Sequence, residues 1–112
     1  MAGLHDEAAH SYALAIKLDP GFVEAWFNSA WLATERGQAA TARRYLLKAI
    51  GLDKDYADAV YNLAALEYDA DNLAEARRWW VRYLELDQHS AWARKAARGI
   101  QVIDMQLKHR AG

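Results

Sequence analysis

The sequence contains no cysteine. That excludes disulfides and thiolate metal centres, and it fits a reducing compartment. Proline occurs once, as Pro20, so little stands in the way of helices. Neither sign of charge prevails. Fourteen Lys and Arg face fifteen Asp and Glu, for a formal net charge of −1, and no global field draws the chain to nucleic acid or to a membrane. No uncharged apolar run approaches the roughly 18 residues of a membrane span. The opening MAGLHDEAAH carries acids and histidines where a secretory signal needs basic and then apolar residues. These absences predict a soluble, cytoplasmic chain. What is abundant is apolar: 54% of 112 residues, much of it alanine. That is enough for the core of one small domain, built from helices that approach closely.

The sequence also repeats itself. AIKLDPGFVEAWFN at 15–28 returns as AIGLDKDYADAVYN at 49–62, thirty-four residues later. LDP at 18–20, LDK at 52–54 and LDQ at 86–88 keep the same register, as do Ala8, Ala42 and Ala76. A fixed period of this size signals stacked supersecondary units. Within each unit the apolar spacing is helical: Trp26, Ala30 and Ala33, then Ala42, Leu46, Ala49 and Ile50. The next unit gives Val60, Leu63 and Ala64, then Leu73, Ala76, Trp80 and Leu84. Gly37 and Asn72 suit the ends of helices, and Ser90 suits a start. Six helices are expected, at 5–18, 22–36, 39–51, 56–70, 73–86 and 90–108. Trp92, Ala96, Ile100, Ile103 and Leu107 of the last would cover the stack, since each unit leaves an apolar face for its neighbour.

These residues resemble the tetratricopeptide repeat, a 34-residue helix pair. The match runs through Trp26, Ala30, Ala42, Leu46 and Ala49, then Leu63, Ala64, Ala76 and Trp80, with Pro20 closing an opening half-unit that holds Ala8, Tyr12 and Ala15. Lys54 and Gln88 stand where the family has its closing proline, and Tyr83 replaces a small residue. The resemblance covers roughly residues 6–98. It implies an all-α fold, a right-handed superhelix of antiparallel helix pairs with a concave groove. Residues 1–112 are then one domain: 5–20 the second helix of an incomplete repeat, 21–54 and 55–88 complete repeats, and 89–108 a capping helix. The tail YLELDQHSAWARKAARGIQ, 83–101, resembles the closing segment of bacterial proteins that join a MerR-type DNA-binding domain to such an array. No DNA-reading element is present here.

In this family the first helix of each pair lines the groove. By register that gives Glu24, Phe27, Asn28, Trp31 and Glu35, then Asp58, Tyr61, Asn62, Tyr68 and Asp69. Steps of three and four place each set on one helical face. Aromatic area with a few polar anchors suits a peptide or helix from a partner protein, and the acids favour one with basic and apolar residues. The competing reading has Phe27 and Trp31 packing between helices and the acids merely solvated. Some members clamp the terminal carboxylate of chaperone peptides with basic groove residues. Here the matching positions hold Glu24, Phe27, Asp58 and Tyr61, which argues against that mode.

The first helix matches a second helix with no partner before it. Tyr12, Ile16 and Leu18 would then present an apolar face. Three arrangements answer this: a chain cut from a longer protein, a second copy covering the face through Tyr12 and Ile16 in a homodimer, or fraying. Charge is segregated, with Arg43, Arg44, Lys48, Arg77, Arg78 and Arg82 on the second helices. Beyond residue 91, Arg94, Lys95, Arg98, Lys108 and Arg110 face only Asp104. Of the Trp79–Trp80 pair, Trp80 matches the packing aromatic, which leaves Trp79 for an interface. HDEAAH spaces its histidines by five residues, turning the rings about 140° apart and away from shared metal ligation. No nucleophile–base pair or phosphate loop appears, so neither an enzyme nor a cofactor is expected.

Overall fold

The computed structural model describes residues 2–111 and consists of α-helices, with no strand among the described residues. They are α1 (Ala2–Leu18), α2 (Val23–Glu35), α3 (Ala39–Leu52), α4 (Ala57–Asp69), α5 (Leu73–Leu86) and α6 (Ala91–Ala111). All six expected helices are present. α1 begins three residues before the expected start and α6 ends three after the expected end. Two compact units result, Met1–Ala59 and Val60–Gly112, with the boundary inside α4.

Burial repeats with the sequence. Ala25, Ala59 and Ala93 are buried, and so are the pairs Ala30/Ala64, Ala42/Ala76 and Leu46/Trp80. Each falls thirty-four residues from its counterpart. Alanine at the contact stripe lets helix axes close to about 8–10 Å. Leu32 and Leu46 fill the first unit; Val60, Leu63, Leu73, Trp80, Tyr83 and Ile103 fill the second. Each buried side chain of that size stabilises the fold by about 1.5–3 kcal/mol before entropy is counted.

The recurrent Leu-Asp has a local cause. Asp19 accepts the Gly21 N–H at 3.1 Å, Asp53 the Asp55 N–H at 3.0 Å, and Asp87 the His89 N–H at 3.1 Å. In each repeat the carboxylate closes the turn after a second helix by bonding the backbone two residues on. The turn inside each pair is likewise shared. Gln38 N–H reaches Ala33 O at 2.9 Å while Gly37 N–H reaches Thr34 O at 3.0 Å; Asn72 N–H reaches Glu67 O at 2.8 Å and Asp71 N–H reaches Tyr68 O at 3.0 Å. Both are Schellman closures. They correct one expectation: the left-handed residue after Gly37 (φ 72°) is Asp71 (φ 63°), not Asn72. Asp tolerates this conformation better than most residues. Asn72 instead starts α5, and its amide donates to the Glu67 carboxylate at 3.2 Å.

Asp87 joins α5 to α6. Its carboxylate accepts the Tyr83 phenol at 2.7 Å and the Ser90 hydroxyl, and Ser90 Oγ in turn accepts the Ala93 N–H at 3.1 Å. Ser90 is thus the expected cap of α6. Tyr83, at a position where the family has a small residue, is buried with its hydroxyl satisfied by Asp87. The Ser90 hydroxyl, then the Tyr83 phenol and the His89 N–H, hold the Asp87 carboxyl well below the usual carboxylate range. A hydrogen bond from Arg77 lowers Asp104 in the same direction. Folded-state pKa values below the unfolded ones contribute stability above about pH 4, and that stability disappears as pH falls through the folded values. Denaturant titrations from about pH 5 to pH 2 should therefore show a falling midpoint. In Asp87→Asn the midpoint should be lower at neutral pH and depend less on acid.

Candidate functional site

In the first unit the face of α2 divides into packed and open positions. Phe27 is half-buried against Tyr56, with ring centroids 5.4 Å apart. Trp31 is 48% exposed, touched edge-on by His5 at 6.4 Å. Glu24, Glu35 and Asp58 are exposed, and Asn28 is half-buried. Burial, then the carboxylates of Glu24, Asp58 and Asp53, raise the Tyr56 phenol above its ordinary pKa. Three segments thereby bring a carboxylate to bear on one phenol: α2 with Glu24, the turn after α3 with Asp53 and the start of α4 with Asp58. Tyr56 was not among the expected site residues. The signal for it was its register with Phe22, the preceding aromatic at a helix start.

In the second unit the aromatics are engaged with each other. Tyr61 lies 5.3 Å from Tyr83, 5.2 Å from Trp92 and 6.3 Å from Trp80. Tyr68 lies 5.7 Å from Trp80. Burial raises the Tyr61 phenol. Asn62 is half-buried and Asp69 exposed. Trp92 was expected to cover the core but is 54% exposed, with Tyr61 against it and the Lys95 ammonium 4.5 Å from its centroid. It sits on the first turn of α6, where no further side chain covers it. Leu107, also expected inside, is 36% exposed, whereas Ala96 and Ile103 are fully buried. Among the described residues, Glu24, Glu35, Asp58 and Asp69 have no ion-pair partner, and the amides of Asn28 and Asn62 no hydrogen-bond partner.

On α1, Tyr12 and Ile16 are both half-buried. Ile16 lines a cavity of about 120 Å³ with Ala9 and Ala13 of α1, Leu32 and Arg36 of α2, and Tyr45 of α3. It therefore faces α2 and α3. The open apolar residues of α1 are Leu4, Leu14 and Leu18. Asp6 holds Arg36 at 2.7 Å across the rim of the cavity. Trp80 is buried and Trp79 half-buried, with the Arg78 guanidinium 5.4 Å from its ring centroid. No helix among the described residues is long and apolar enough to cross a membrane.

Residues 11–44 match the family model described as tetratricopeptide repeat. Among curated proteins, none matches the sequence. Solved structures with a similar fold include the first TPR of Spaghetti (RPAP3) bound to the HSP90 peptide SRMEEVD, at TM-score 0.83 and 24% identity, covering 96% of this chain and 82% of that one. The Yersinia enterocolitica type III secretion chaperone SycD, in complex with a peptide of the translocator YopD, superposes at TM-score 0.85 and 15% identity, over 94% of this chain and 83% of that one. The Sgt2 TPR domain from Aspergillus fumigatus gives TM-score 0.80 and 18% identity, over 98% and 72%. Residues 11–44 thus match the tetratricopeptide-repeat model, and the fold over nearly the whole chain is similar to that of these solved tetratricopeptide-repeat domains.

Proposed function

We propose that the chain is a protein-interaction module whose α2 face binds a basic, partly apolar peptide or helix of a partner protein. The observation that carries this reading is Tyr56, packed on Phe27 and under the influence of the Glu24, Asp58 and Asp53 carboxylates, with Trp31 exposed one turn beyond Phe27 on α2. A carboxylate without an ion-pair partner beside exposed aromatic area offers charge complementarity at the rim and apolar burial at the centre. The Asn28 amide can bond the backbone of an extended segment. Two proteins of the same fold hold peptides in their solved structures, an HSP90 peptide in one and a YopD peptide in the other. The preference for a basic partner comes from this chain's own acids.

Selection from a displayed random-peptide library by the full chain should enrich Lys or Arg together with Leu or aromatic residues. Trp31→Ala should weaken the selected peptide by about 10-fold, near 1.4 kcal/mol, as expected for an exposed aromatic anchor. Glu24→Lys/Asp58→Lys should weaken it further and reverse the charge preference. These positions are exposed, so helicity should not change. Enrichment of acidic peptides, or binding indifferent to both variants, would exclude this surface.

A further inference from the structure

The solvent face of α6 carries a second charge pattern, opposite in sign. Arg94, Arg98, Gln101, Met105 and Lys108 follow at steps of four, three, four and three, which confines them to one narrow stripe of an α-helix. All five are exposed, Met105 at 71%. Among the described residues, no ion pair or hydrogen bond engages the side chains of Arg94, Arg98 or Lys108. The only acid on the helix, Asp104, is taken by Arg77 at 2.7 Å. α5 shows how a solvated face looks in the same unit: Arg78 stands 3.8 Å from Glu75 and Arg82 3.4 Å from Glu85, with signs interleaved. α6 has no such interleaving, although the chain as a whole carries a net charge of −1.

We propose that this stripe is a docking surface for an acidic amphipathic helix of a partner protein. The three–four spacing persists from Arg94 to Lys108, about 21 Å along the axis at 1.5 Å per residue. That is the periodicity a second helix meets when it packs at a shallow angle. Carboxylates at the same spacing would face Arg94, Arg98 and Lys108, the arginines donating to them in bidentate fashion. Met105, unbranched and lying between Arg98 and Lys108, adapts to an apolar side chain there. A lipid surface calls for bulky apolar residues alongside the cations, and a single-stranded nucleic acid calls for aromatic platforms. The stripe holds neither.

The test uses the full chain and a four-turn synthetic helix with Glu and Leu at three–four spacing, against a scrambled peptide of the same composition. Fluorescence anisotropy should show the patterned peptide binding at least about 10-fold tighter than the scrambled one, with affinity falling as salt rises. Arg94→Glu/Arg98→Glu/Lys108→Glu should remove the difference while circular dichroism stays unchanged, and Trp31→Ala should leave it intact. The proposal is overturned by equal binding of the scrambled peptide, by retained affinity in the triple variant, or by loss in Trp31→Ala. Tighter binding of phosphatidylserine vesicles or duplex DNA than of the patterned peptide overturns it as well.

Discussion

Trp80→Ala is expected to lower folding stability by about 3–5 kcal/mol, the cost of removing a buried large aromatic. The indole is only 6% exposed. Two tyrosine rings of α4 hold it, Tyr68 at 5.7 Å and Tyr61 at 6.3 Å, and α6 passes against its six-membered ring at Gly99. Truncation would leave a cavity between three helices whose own side chains are already committed. Tyr61 also supports Trp92 and Tyr83, so the loss should spread to the start of α6. The indole Nε1 is buried without an acceptor. The ring is therefore held by packing and not by a hydrogen bond, and an unpaired buried donor costs free energy. Trp80→Phe should accordingly be much milder than Trp80→Ala, because lost area is partly offset by removal of that donor. Urea unfolding followed by circular dichroism measures both. A loss under about 1 kcal/mol for Trp80→Ala would mean that the helices collapse onto the vacated space.

Most of the fold could be read in the sequence because each repeat states it again. Asp19, Asp53 and Asp87 make one turn three times, and Ala25, Ala59 and Ala93 are buried three times. What escaped is what differs between repeats. Gly37 suggested a glycine-like residue in the next turn, and Asn72 drew attention, but the register places Asp71 there. Gly99 drew no attention in the sequence. Its role depends on Trp80, nineteen positions away and on another helix.

The candidate site was legible as a set of positions and less so as a set of available surfaces. Trp31 and Tyr61 both fall on first-helix faces, yet Trp31 stands open and Tyr61 has three aromatic neighbours. Two of those neighbours, Tyr83 and Trp92, lie 22 and 31 residues further on. Helical periodicity assigns a face and carries no information about what crosses it from a distant part of the chain. Charge was better preserved. Glu24, Glu35, Asp58 and Asp69 are exposed as expected, since burying an unpaired carboxylate costs far more than leaving it in water.

Gly99→Ala should destabilise the protein by about 1–3 kcal/mol, although the same exchange in an open helix stabilises by roughly 0.5–1 kcal/mol. A Cβ on residue 99 would stand 2.4 Å from Trp80 Cζ3, 2.7 Å from Cε3 and 2.8 Å from Cη2. Relief needs either the indole or α6 to move. The indole is rigid and hemmed by Tyr61 and Tyr68, and α6 is fixed at its start by the Asp87–Ser90 cap. Overpacking therefore outweighs the gain in helix propensity. The decisive measurement is a double-mutant cycle with Trp80→Leu. Leu and Ala are the residue types thirty-four positions earlier, Leu46 and Ala65. If the clash is the cause, Gly99→Ala becomes neutral or stabilising in the Trp80→Leu background, with a coupling energy of about 1–3 kcal/mol. Additive losses would instead place the cost in α6 itself, independent of the indole.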